Sequence, residues 1–262
     1  MFQITLLRRH LKREFFNFPC YYSLMELIFL DTETTGNDVK KDRLCQVCYF
    51  SSNDKKICME FFKPPVPVSV KAMSITHITN KMLQDKGTFV GSDMCAELQK
   101  KLKAGILVAH NAKFDRAMLE AEGISVPRFI CTLRVARFLD PKNLIPEYNL
   151  QYLRYHLDLD IEGRAHDAEG DVNVLRAVFL RLLAKIKKEE GLSDEEAIEK
   201  MIEISKNPSL FTKFSFGKYK DRNIEEVLRS DRRYLEWLLN TKLQNEEGDE
   251  DWIYTLKHYL NK

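Results

Sequence analysis

The stretch LIFLDTETTG, residues 27–36, decides how the rest of the chain is read. Its first four residues are large and apolar, as in a strand covered on both faces. They lead into Asp31 and Glu33, with only Thr32 between them. Side chains two apart on a strand point the same way, so two carboxylates stand side by side at the strand's end. In open α/β sheets that end is where ligands bind. Adjacent anions repel unless something positive lies between them, and a divalent cation held by hard oxygen ligands meets that need. Taken alone, the pair is equally two exposed acids at a turn.

The surrounding chain has 262 residues, 44% hydrophobic and 31% charged. That is enough for one sizeable core and a smaller module. No apolar run is long enough to span a bilayer, so no membrane is expected as a partner. The formal net charge is only +2. Contact with nucleic acid must then come from local patches or from bound metal. Six cysteines, Cys20, Cys45, Cys48, Cys58, Cys95 and Cys131, are scattered along the chain. They read as reduced, mostly buried thiols of a cytoplasmic protein. Cys45 and Cys48 form a lone C-x-x-C in strand-like LCQVCYF, and no second pair completes a tetrahedral zinc site.

Residues 1–24 are basic and aromatic, and Arg8, Arg9 and Lys12 make them a poor signal peptide. They are read as an N-terminal extension, either untranslated, with synthesis starting at Met25, or a loosely held basic arm. From residue 26 the patterns are regular. Strands are expected at 26–33, in LCQVCYFSS and in KKICMEFFK, with SNDKK as a hairpin turn. PPVPV then ends the sheet pattern. Met94, Leu98 and Leu102 mark a helix over 92–103, and ILVAHN is a second buried strand before a helix from about 113 to 122. NLQYLRYHL and residues 167–189 also read as helices. A strand meander followed by strand–helix repeats predicts an α/β fold, a mixed sheet covered by helices. Ser193 and Glu196 form a capping box. The expected organisation is a main domain over 25–190, a connecting helix over 191–208 and a small module over 209–262.

Two further stretches carry acids. In LVAHNAKFDRAML, residues 107–119, a strand runs into Asn111, read as a helix N-cap, with Asp115 in the first turn. Singly, Asp115 is as well explained as a capping acid. In RAHDAEGDV, residues 164–172, His166 and Asp171 open the long helix. A histidine beside acids is a candidate general base. Asp167 and Glu169 are read as cap and solvent-facing acids. His110 ends a strand and is read as packed; His10, His156 and His258 lie away from acid clusters.

In this order, DTETTG, AHN-x-x-FD and H-x-x-x-x-D resemble the DEDDh branch of the DEDD exonuclease superfamily, over 26 to about 185. ITHITNKM resembles the segment that shapes the branch's terminal-nucleotide pocket. FSFGKYKDRNIEEVLRSDRRYLEWLL and TLKHYL resemble the tail of its exonuclease X group. The resemblance implies a ribonuclease H-like, five-stranded mixed sheet and 3′–5′ release of nucleoside 5′-monophosphates from DNA, in DNA repair. It also implies two divalent cations, Mg²⁺ or alternatively Mn²⁺, which bring about −4 of carboxylate charge close to neutrality. On that pattern Asp31 bridges both ions. Glu33 and Asp171 complete one, Asp115 supports the other, and His166 takes the proton of the attacking water. Thr32 and Thr34, and less strongly Asn111 and His77, are candidates for contact with the terminal nucleotide; a turn role suits His77 as well. The expected partner is a DNA 3′ end, single- or double-stranded. RNA stays open, because sugar-discriminating contacts are not legible here. A catalytically dead binding module is opposed by the presence of all five motif residues. A phosphatase with an aspartyl nucleophile lacks its accessory lysine-and-diacid pattern.

KFSFGKYKDR interleaves Phe214, Phe216 and Tyr219 with Lys213, Lys218, Lys220 and Arg222. Such interleaving suits single-stranded nucleic acid. It equally suits a hairpin with core rings, the reading preferred for Phe214 and Phe216. IEEVLRSDRRYLEWLL predicts a helical pair burying Leu228, Leu235, Trp237 and Leu238. NEEGDED, residues 245–251, reads as an acidic loop away from DNA. The module is expected to add DNA affinity or to bind a protein partner.

Overall fold

The computed structural model describes residues 25–161, 168–244 and 249–261. Strand β1 (Leu27–Thr34) is central because both its faces are apolar. Leu27 and Phe29 enter one core, and Ile28 and Leu30 enter another. β2 (Leu44–Ser51) pairs antiparallel with β1, and β3 (Ile57–Phe61) pairs antiparallel with β2 across the SNDKK turn. On the other side of β1, β4 (Ile106–Ala109) and β5 (Phe129–Cys131) add in parallel. The order is β3-β2-β1-β4-β5, the expected mixed five-stranded sheet.

α1 (Val70–Thr76) follows the proline-rich stop. Two helices cover the face that holds Ile28: α2 (Asp93–Ala104), with Met94, Leu98 and Leu102, and α3 (Ala112–Ala121), with Met118 and Leu119. The opposite face is covered by α4 (Thr132–Phe138), α5 (Leu150–His156), α6 (Ala168–Glu190) and α7 (Asp194–Lys206). Helix α7 starts in the expected capping box. It is more than a connector, however. Ala197, Ile198, Met201 and Ile202 are buried in the core of the sheet layer, and Ser205 Oγ accepts from Cys131 N at 2.7 Å. Its apolar stripe had a face of the sheet to cover.

Cys48 lines the main core, and Cys45 lies in a small cluster beneath α1. Three residues apart on a strand, they point to opposite faces, so they cannot share an ion. Among the described residues no helix is long and apolar enough to cross a membrane.

The C-terminal residues form α8 (Ile224–Ser230), α9 (Arg232–Gln244) and α10 (Glu250–Leu260) around their own core. Phe214, Ile224, Leu235, Leu238, Trp252 and Leu256 build it, so Phe214 is a core ring. Two expectations fail here. Trp237 is 58% exposed. It lies about 200° around the helix from buried Leu235, so only one of the two can face the core. The acidic stretch is not wholly a loop either: Glu250 and Asp251 form the first turn of α10, while residues 245–248 lie outside the described residues.

Those two acids dock the module. Arg134 of α4 is 5% exposed and donates to Ser205 O at 2.8 Å, Glu250 Oε2 at 2.8 Å and Asp251 Oδ1 at 3.3 Å. Arg137 donates to Asp251 Oδ2 at 2.7 Å, and Lys113 of α3 pairs with Glu250.

Candidate active site

Because β1, β4 and β5 run parallel, their C-terminal ends share one edge of the sheet, and the turns after β4 and β5 start α3 and α4 there. Asp31 and Glu33 share the strand face of Leu27 and Phe29. This is the face covered by α6, whose first turn carries Asp171. Thr32 alternates to the other face, toward α3, where its Oγ1 donates to Asp115 Oδ1 at 2.7 Å. Three distant parts of the chain thus bring acids to one place.

The other three acids act on Asp31, and Asp171 and Asp115 act on Glu33. Burial pushes Asp31 well above the usual carboxylate range, and the charges of Asp115, Glu33 and Asp171 push it further. Burial, then Asp171 and Asp115, raise Glu33 to about 7. Burial raises Asp115 to about 7, against the lowering effect of the Thr32 hydroxyl and nearby backbone donors. The donors gathered here are carboxylate oxygens, the set that suits a hard divalent cation. Mutual repulsion in a buried site is what such an ion relieves, so the residues fit one. Among the described residues, no three His, Cys, Asp or Glu side chains already surround one point as a cage. Two of the acids are turned toward protein donors, Asp115 toward Thr32 and Asp171 toward Gln151. His166 lies outside the described residues.

Gln151 and Arg154 are the residues that sequence reading missed. Gln151 Nε2 donates to Asp171 Oδ1 at 2.5 Å. Arg154 Nη1 donates to Gln151 Oε1 at 3.3 Å, which turns the amide's NH₂ toward the acid. Arg154 Nη2 donates to Ile161 O, the last described carbonyl before the segment that carries His166. Their signal was spacing: three apart on a helix, they share a face.

The nucleotide-contact candidates divide. The hydroxyl of Thr32 is engaged by Asp115. Thr34 Oγ1 donates to Gly36 O at 2.6 Å, so it closes its own loop. A Cβ on Gly36 would stand 2.5 Å from Asp42 Oδ2. Asp42 cannot swing away, because it accepts from Thr35 Oγ1 at 2.7 Å and from Asp38 N at 2.8 Å. Asn111 precedes α3 but does not cap it with its side chain; it is exposed and left-handed, at φ 65 and ψ 44. The sharp strand-to-helix turn requires that conformation, which asparagine tolerates. His77 is the left-handed, exposed C-cap of α1, donating its N–H to Met73 O at 3.0 Å, which is the turn role. His110 is packed. Its ring bridges Thr132 Oγ1 at 2.9 Å and Tyr148 O at 2.7 Å, and burial pushes it down to about 4.

The chain is similar to known proteins. Residues 28–179 match the family described as Exonuclease, and residues 214–242 match the family described as Exodeoxyribonuclease X-like C-terminal. Exodeoxyribonuclease 10 of Escherichia coli K12 is 30% identical over 246 residues, which cover 89% of this chain and 98% of that protein. DNA polymerase III subunit epsilon of Treponema pallidum is 30% identical over 171 residues, covering 62% of this chain and 78% of its own. The solved structure of exonuclease X in complex with 5′ overhanging duplex DNA superimposes with a TM-score of 0.52 at 26% identity, over 68% of this chain and 99% of that one.

Proposed function

This chain belongs to the exonuclease family, in its exonuclease X group, and from that premise we propose that it is a metal-dependent 3′–5′ exodeoxyribonuclease that releases nucleoside 5′-monophosphates. One observation carries the reading: acids from β1, α3 and α6 meet at a single sheet edge, where the charges of Asp115 and Asp171 help to raise Asp31 and Glu33.

Asp31, Glu33, Asp115 and Asp171 would hold two divalent cations, Mg²⁺ with Mn²⁺ as a substitute. When bound, such ions lower the pKa of water and neutralise charge on the reacting phosphodiester. The chain's own residues do the rest. Asp31 lies at the centre of the acid group and is the natural shared ligand. Thr32 orients Asp115, and Gln151, braced by Arg154, orients Asp171. His166, five residues before Asp171, takes the proton of the attacking water. Asn111, exposed where β4 turns into α3, and His77, exposed at the end of α1, are side-chain candidates for contact with the terminal nucleotide. The setting is DNA repair in the cytoplasm.

The test uses matched DNA and RNA strands with either end blocked, with and without chelator. Mononucleotides are expected from DNA with a free 3′ end only, and none in chelator. Release from 5′ ends, or release that survives chelation, overturns the proposal. Faster release from RNA moves the substrate to the other sugar.

A further inference from the structure

The chain has two tryptophans. Trp252 is 8% exposed and packs among Phe211, Phe214 and Phe216, with ring centroids 4.8–5.5 Å away. Trp237 is 58% exposed on α9. A single exposed ring needs no explanation, but this one is part of a ridge. The Tyr234 ring lies 5.6 Å from Trp237, and the Tyr219 ring lies 4.9 Å from Tyr234.

Cations flank the ridge. Lys218 Nζ and Arg222 Cζ lie 4.7 and 5.5 Å from the centre of the Tyr219 ring. Arg233 is four residues before Trp237 and so shares its helix face. Three nearby acids are already taken: Asp231 pairs with Lys218, Glu226 with Arg222 and Glu236 with Arg232. Arg233 and Lys220 are exposed, and neither has an acid within ion-pair distance among the described residues.

The module is also electrically lopsided. Between 213 and 244, lysines and arginines outnumber acids eight to five, whereas 245–251 hold five acids and no base. The acidic end is clamped to Lys113, Arg134 and Arg137. On the basic side, Trp237, Arg233 and Lys220 are exposed, and Tyr234 and Tyr219 are half-buried against the module's core.

We propose that the Trp237–Tyr234–Tyr219 ridge, with Arg233 and Lys220, binds single-stranded DNA. The assignment rests on the reading above that DNA is the substrate. The exposed Trp237 ring stacks a base, the half-buried Tyr234 and Tyr219 rings extend that platform, and the cations meet phosphates, a combination that suits unpaired strands, because a duplex hides its base faces.

The full-length protein is titrated in chelator with oligothymidylate, read by tryptophan fluorescence and, separately, by anisotropy of a labelled strand. Quenching is expected, and it should vanish in Trp237→Phe while affinity is largely kept. Trp237→Ala should bind on the order of tenfold more weakly, and Arg233→Ala should reduce the slope of log affinity against log salt by about 0.7. With divalent cation present, both alanine variants should still cut a trinucleotide at the wild-type rate. Wild-type affinity and salt slope in both variants, in a protein that degrades DNA, sink the surface assignment alone and leave the ridge to another ligand such as a protein. A wild-type protein that neither binds nor degrades DNA sinks the functional reading instead.

Discussion

The acids at the end of β1 and those at the start of α10 are chemically alike, yet their surroundings differ. Asp31 and Glu33 are surrounded by apolar core and by other carboxylates, and both are raised. Burial also acts upward on Glu250, but Lys113 and Arg134 outweigh it and hold that carboxyl below its ordinary value. Acids that meet protein cations act as glue: here they fasten the module to α3 and α4. Among the described residues, Asp31 and Glu33 form no ion pair with a protein cation, so their charges do not stabilise the fold by themselves and call for an external positive charge. The same residue type is structural in one place and functional in the other, and the neighbours decide which.

Substitutions can break this contrast. The largest effect is expected from Asp31→Asn. Turnover on a 3′-labelled strand should fall by on the order of 10³-fold or more. The melting temperature in chelator should stay level or rise, because a buried, repelled charge is gone. Normal turnover, or a collapse in stability, would contradict the assignment of Asp31 to the reacting site.

The double change Glu250→Gln with Asp251→Asn should do the reverse. It leaves buried Arg134 without its acids and should cost about 1–2 kcal/mol, less than a fully buried pair because Glu250 is 43% exposed. Denaturant unfolding and limited proteolysis near residue 209 read the loss. Cleavage of short oligonucleotides should persist; its disappearance would mean that the module helps to build the active site.

A third check is a pH dependence. Glu33 and Asp115 sit at about 7 when folded and near 4 when unfolded. Between those values the folded state holds protons that the unfolded chain has released. In chelator, stability should therefore be greatest at the acid end of that window and fall as pH rises from about 4 to about 7. Asp115→Asn should flatten the slope, as should added Mg²⁺. Melting curves across that range check it, and a slope of opposite sign would refute the raised values of Glu33 and Asp115.

Much of the site was legible in the chain. The D-x-E pair follows from the two-residue period of a strand, and the position of Asp115 follows from a strand running into a helix. α2 was marked by Met94, Leu98 and Leu102, and α7 by its capping box. Four features were not legible. The Thr32–Asp115 bond joins residues 83 apart. The brace from Arg154 through Gln151 to Asp171 needs α5 laid beside α6. The left-handed turn at Asn111 comes from the angle at which α3 leaves β4. Trp237 reads as core by hydrophobicity alone, and its exposure depends on which side of α9 faces the module.

The sequence alone determined which residues carry charge, which segments become strands and helices, and which side chains share a face, because those properties depend on periods of two and 3.6 residues within one segment. Only the tertiary structure decided which charges meet each other and which meet a cation. Coulomb energy depends on separation and on burial, and both are set by the packing of segments far apart in the chain.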